Sequence, residues 1–298
     1  MDQQSFTRRG ALAGAAAAGT LMAAGPASAA TLDVNDPKNA ARIRAKIMGS
    51  TREEAAMTYL RINVYAFFNE GTLKPLYTLS NLNIRRWSPQ ADGSFKAKVF
   101  ESGTYFKFDT DEPIDMWENP FTGETRIPGD FQNGPLNLTI LPDGSISTGA
   151  EATLKPKPLR SWSLGDNFFL QQASGFSYPN PWKPSEWPVE SAGETSHWDS
   201  HYLFSAKLSD VANDDVANVP ATVQLQNLVT WAPWLGMGQR PGRTWGRGVG
   251  AKIKSLDEVP KAALAEFRKK TPMIFETETW TALRDETQEY RNKLKAKR

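Results

Sequence analysis

The stretch Ser196–Leu208, SHWDSHYLFSAKL, holds both histidines of this 298-residue chain, His197 and His201, with Asp199 midway between them. On a helix, imidazoles four residues apart stand ~6 Å from each other at Cβ and can share a metal. The alternation of HYLFSAKL favours a strand instead. There the two histidines are about 13 Å apart, at roughly 3.3 Å per residue, which is too far for one ion. Strand geometry places His197, Asp199 and His201 on one face, with Asp199 next to both rings. A carboxylate beside an imidazole fixes its tautomer and raises its basicity, which makes a general base near neutral pH. Trp198, Ser200, Tyr202, Phe204 and Ala206 take the other face. With that apolar face turned outward onto helices, the His/Asp face lines the interior of the sheet; the alternative is a polar strand face open to solvent. No ligand-spaced motif points to a metal, and no cofactor is expected.

A second constellation is GQRPGRTWGRG, where Arg243 and Arg247 surround Trp245 in a glycine-rich setting. Arginine suits carboxylate or phosphate contact, tryptophan suits stacking, and glycine allows close backbone approach. The alternative is a basic surface turn. Arg85, Arg86 and Trp87 form a similar group on a strand, where one arginine faces solvent. A third feature is SYPNPWKPSEWP, which carries Trp182 and Trp187 among four prolines. It cannot be a central strand, so it forms a rigid loop that either lids a pocket or caps the end of a sheet. The chain has no G-x-S-x-G, no Walker or dinucleotide-binding spacing, and no cysteine. Nucleophilic-elbow serine chemistry, nucleotide binding of those kinds, thiolate chemistry and disulfides are thereby set aside.

The elements that must position these residues are mostly strands. YLRINVYAFF, LYTLSNLNIRRW, FKAKVFESGTYFKFD, LNLTILPDGSIST, NFFLQQASGF, HWDSHYLFSAKL and NVPATVQLQNLVTW follow one another with Asp-Gly and Pro/Gly turns. That succession predicts a mainly β chain, an antiparallel meander closing into a barrel-like sheet, with a sandwich as the alternative. Helices flank it. The start is expected to be helical over about 37–58, through Pro37, Gly49 and a capping-box spacing of Ser50 and Glu53. The end is expected to be helical over about 256–298, with a Trp280, Leu283 and Tyr290 stripe docked on the barrel. Residues 30–298 form a single domain in this reading.

WENPFTGETRIPGDFQNGPLN, at 117–137, and PGRTWGRGVGAKIKSLDEVP, at 241–260, resemble the DUF1838 family, bacterial proteins often exported with Tat signals. That family label denotes an unknown function, so the resemblance implies no reaction and no catalytic residue. It agrees with the leader. Residues 1–29 carry Arg8-Arg9, the apolar run ALAGAAAAGTLMAA and the small-residue exit GPASAA, which read as a Tat-type signal cleaved near Ala29. The apolar run is shorter than the roughly 20 residues a spanning helix needs, so the mature chain is expected to lack a membrane span and to be periplasmic or secreted. Cleavage removes two arginines and one aspartate from a chain of net charge +2, leaving +1, which does not steer it toward nucleic acid.

Ten tryptophans and fifteen phenylalanines supply material for an aromatic pocket. Two functions fit. One is a cofactor-independent lyase or isomerase acting on a small aromatic or apolar molecule with an anionic group. His197 or His201 would be its base, Asp199 the orienter, and Arg243 or Arg247 the anion clamp. The other is a lipocalin-like periplasmic protein that binds such a molecule without chemistry. The leader makes a direct prediction: changing Arg8 and Arg9 together to lysine leaves uncleaved precursor in the cytoplasm. Fractionation and immunoblotting check it, and normal export of the double variant would make the arginine pair incidental.

Overall fold

A computed structural model describes residues 31–147, 160–280 and 285–296; the leader at 1–29 and Leu283 lie outside them. Ten strands form one antiparallel sheet. They are β1 (Ala55–Phe67), β2 (Leu73–Pro89), β3 (Phe95–Phe106), β6 (Phe131–Ile140), β7 (Ile146–Ser147), β8 (Arg160–Leu164), β9 (Asn167–Pro179), β10 (Thr195–Lys207), β11 (Ala221–Val229) and β12 (Arg243–Ile253). β4 (Trp117–Glu118) and β5 (Thr125–Arg126) make a separate small hairpin. The strand order is β7-β6-β3-β2-β1-β12-β11-β10-β9-β8. Two meanders of five strands therefore meet where β1 pairs with β12, and the outermost strands β7 and β8 are consecutive in the sheet's chain order.

The sheet is curled into a half-barrel, as the meander signals implied; it is not a sandwich. Turn chemistry sets two of its hairpins identically. Asp92 and Asp143 each accept hydrogen bonds from the backbone N–H and hydroxyl of a serine two residues on, at 2.6–3.0 Å, and Gly93 and Gly144 take positive φ between them.

Burial alternates strictly along β1, with Ala56, Thr58, Leu60, Ile62, Val64 and Ala66 facing inward. The same concave side receives Val223 and Leu225 of β11 and Phe204 and Ala206 of β10. Helix α1 (Ala40–Met48) plugs one end of this space and is buried nearly all round. Its charged residues survive burial by bonding carbonyls. Arg44 reaches Gly144 O at 2.8 Å, and Lys46 reaches Val211 O and Asn213 O, beside the short helix α2 (Leu208–Ala212). Lys252, inward on β12, donates to the carbonyls of Lys46 and Gly49 at the end of α1. Burial brings its ammonium down to about 7. The convex side carries a second core where α3 (Lys261–Lys270) and the following turn lay Ala263, Phe267, Ile274 and Trp280 over Leu82, Ile84, Phe100 and Phe106.

Three expectations differ. The helical start ends at Met48, and residues from Ala55 onward are β1. Ser50 caps only a local turn, through Arg52 N at 2.9 Å, because the inward alternation of β1 reaches back to Ala56 and claims the segment for the sheet. The glycine-rich Arg243–Ile253 segment is a central strand and not a turn. At the other end, the last helix, α4 (Glu286–Lys295), begins beyond Trp280 with Asp285 as its cap, so Trp280 and Tyr290 lie on different elements. Among the described residues no helix is long and apolar enough to cross a membrane.

Phe267 is fully buried between α3 and β2–β3. Phe267→Ala is expected to cost about 3–5 kcal/mol of unfolding free energy, read by chemical denaturation. A loss near zero would mean that α3 does not share the core.

Candidate functional site

The distinctive run WENPFTGETR builds a cover over one end of the concave side. Asn119, wholly buried, donates to Leu235 O at 2.8 Å and accepts from the N–H groups of Phe121 and Thr122. It thus closes the β4–β5 hairpin and ties it to the segment after β11 in one step. Trp117 packs edge-to-face on Trp234, and Phe121 does so on Phe68. Arg126 pairs with Glu124 at 2.8 Å and with Glu190 at 3.1 Å. Gly236 holds a left-handed φ of 62°, and a Cβ there would collide with the Arg126 guanidinium. Two further pieces complete the cover. The Pro/Trp loop packs Trp182 on Trp187 and on Tyr290 of α4, and Arg291 bonds the Pro181 carbonyl while stacking over Trp182. Lys293 pairs with Asp130 at 3.0 Å.

Beneath this cover lies a cavity of about 350 Å³. Its walls are aromatic: Tyr77, Tyr105 and Phe131 on one side, Trp198 and Tyr178 on the other, and Trp182, Trp231, Trp234 and Tyr290 from the cover. Ser196, Asn180, Asn227, Thr230 and Thr244 contribute small polar groups, and Asp130 and Glu190 contribute acids. Among the described residues that line it, none is basic. Glu190 has only 5% of its side chain exposed; one oxygen accepts from Arg126, and the other, Oε2, is buried without a hydrogen-bond partner. Tyr290 donates to Ile127 O, and burial pushes its phenol up to about 12, so it stays neutral.

One or two inward positions further down the same strands the wall turns polar. Asn81 follows Leu79, Asn133 follows Phe131, Glu101 lies beyond Tyr105 and Gly103, and Tyr202 lies beyond Trp198 and Ser200. Glu101 accepts from Asn81 at 3.0 Å and from Asn133 at 3.4 Å. It sits deep in protein yet keeps some accessible surface, as do Arg85 and Tyr202. Burial raises the Glu101 carboxyl against the pull of its amide donors and Arg85. Tyr202 feels the charges of both Glu101 and Arg85. β3 and β10 are five strand steps apart, about 24 Å on a flat sheet.

The residues singled out in sequence fall on both sides of this wall. Trp182 lines the cavity, and Trp187 supports it from behind. His197, Asp199 and His201 stand on the convex face, because Ser196 and Trp198 are the inward positions of β10. His197 Nδ1 meets Ser177 Oγ at 2.7 Å, and no hydrogen bond or ion pair joins Asp199 to either histidine. Arg243, Trp245 and Arg247 share that convex face, with the Arg247 guanidinium 4.0 Å above the Trp245 ring. The structure therefore does not bring these six residues to the cavity. Of the Arg85-Arg86 pair, Arg86 faces out to Glu278 and Arg85 faces in, donating to Met48 O at 3.0 Å. Sequence reasoning missed Glu101, Glu190 and the cavity tyrosines. The inward alternation of β2 and β3 marks Tyr77 and Tyr105, but no local pattern marks the two glutamates.

Residues 53–291 match the family described as a protein of unknown function, DUF1838, and the chain belongs to that family. No curated protein matches it.

Because burial raises Glu101, the folded state holds its proton more tightly than the unfolded chain does. The group therefore favours folding most in acid, and that contribution falls as pH climbs from the ordinary value of 4.5 through the raised one. Glu101→Gln keeps the shape and is expected to unfold no more easily than the parent at pH 7, and to lose the parent's relative gain in acid. Thermal melts from pH 4 to pH 8 check this. A markedly less stable variant at pH 7 would make Glu101 a structural ion.

Proposed function

We propose that this DUF1838 chain works as an exported binding protein that holds a small aromatic or apolar molecule inside the half-barrel. The observation that carries this reading is the cavity of about 350 Å³ on the concave side, walled by nine aromatic side chains. Such a concave, mostly apolar site with a few fixed polar groups is the usual form of a small-molecule pocket. The leader supports a site of action outside the cytoplasm.

A second reading, acid/base catalysis on the bound molecule, is favoured by one feature: Glu101, a carboxylate held by two amides with its proton affinity raised, stands on the inward face of β3 below Tyr105. In that case Glu101 is the base and the reaction a proton transfer needing no cofactor. The histidines lend it no support from where they stand.

Trp198 is half-exposed and stacks on Phe176, so its removal perturbs the pocket more than the core. Trp198→Ala is expected to weaken binding of a small aromatic probe such as indole about tenfold, roughly 1.4 kcal/mol. Replacing His197 and His201 together by alanine is expected to leave that affinity unchanged. Calorimetric titration checks both, and the reverse pattern would move the site to the convex face. Should the purified protein turn over a retained ligand, Glu101→Gln is expected to slow it about 10²-fold or more.

A further inference from the structure

We propose that the cavity selects an organic cation, a protonated amine on an aromatic or alkyl body. This rests on the binding reading and sharpens it. Two independent features point the same way. The first is Glu190: its side chain is 5% exposed, Arg126 engages only Oε1, and Oε2 is buried with no partner. An unpaired buried carboxylate oxygen is costly, and a ligand ammonium N–H supplies the missing charge-assisted hydrogen bond. The second is the wall itself. Aromatic faces carry negative potential at their centres and attract cations, most strongly in a desolvated site. Trp231, Trp234 and Tyr290 border the cavity from the cover, and Tyr77 and Tyr105 border it from the sheet.

The nearby cations do not oppose this. Arg126 is held by Glu190 and Glu124, Lys293 by Asp130, and Arg291 by the Pro181 carbonyl and the rings of Trp182 and Trp187. None of the three is among the groups lining the cavity. The expectation of an anionic ligand rested on Arg243 and Arg247, which lie on the convex face. Inside, the lining is aromatic, small polar and acidic.

The test uses three probes with one phenyl body: phenethylamine, 2-phenylethanol and phenylacetate, titrated calorimetrically into the mature protein at pH 7. The amine is expected to bind at least tenfold more tightly than the alcohol, and the carboxylate more weakly than both. Glu190→Gln keeps the shape, and Arg126 retains Glu124, so the variant is expected to stay folded by circular dichroism. Its amine-over-alcohol preference is expected to fall about tenfold, while His201→Ala on the convex face keeps it. Equal binding of amine and alcohol, or a preference untouched by Glu190→Gln, overturns the cation and leaves the binding reading standing. Absence of binding by all three probes at millimolar concentration overturns both.

Discussion

Gly246, Gly248 and Gly250 face inward on β12, the strand that joins the two halves of the sheet. A Cβ at Gly248 would come within 2.8 Å of Ile62, and one at Gly250 would fall on the backbone of Tyr59. With no side chains there, β1 and β11 close tightly around β12 and the sheet coils at its centre. Everything else in the concave side follows from that coil. It brings β10 round toward β3, and it gives α1 a trough to fill. The unfilled part of the trough becomes the cavity.

An open trough of aromatic residues would be an aggregation hazard without a cover. Part of the cover is assembled from the run at 117–126. Asn119 and Trp117 fasten the β4–β5 hairpin to the segment after β11, Phe121 fastens it to Phe68 and Arg126 to Glu190. None of them needs to touch a ligand for its role to be strict. Arg126 links this scaffold to the site itself by holding one oxygen of Glu190 and leaving the other free.

The strands were legible because half-buried strands alternate, and β1 and the first part of β11 do so plainly. β12 was not, because its inward residues are glycines and the alternation signal needs side chains. The segment after Ser50 carried a sound helix-capping spacing that lost to strand pairing, a long-range effect no local pattern reports. The faces of β10 were separated correctly, but which one looks inward depends on what fills the barrel. With α1 and aromatic walls inside, the apolar face is the inner one, and His197, Asp199 and His201 turn out. Glu101 and Glu190 look ordinary in sequence. Their character comes from partners at distant positions, Asn81 and Asn133 for one and Arg126 for the other.

The central claim is that ligand enters the concave side, and the tryptophan indole N–H signals of the ¹⁵N-labelled protein test it most directly, because tryptophans stand on both faces. On titration with phenethylamine, the signals of Trp182, Trp198, Trp231 and Trp234 are expected to shift while that of Trp245 stays fixed. A shift of Trp245, with the four cavity signals unmoved, would contradict the account.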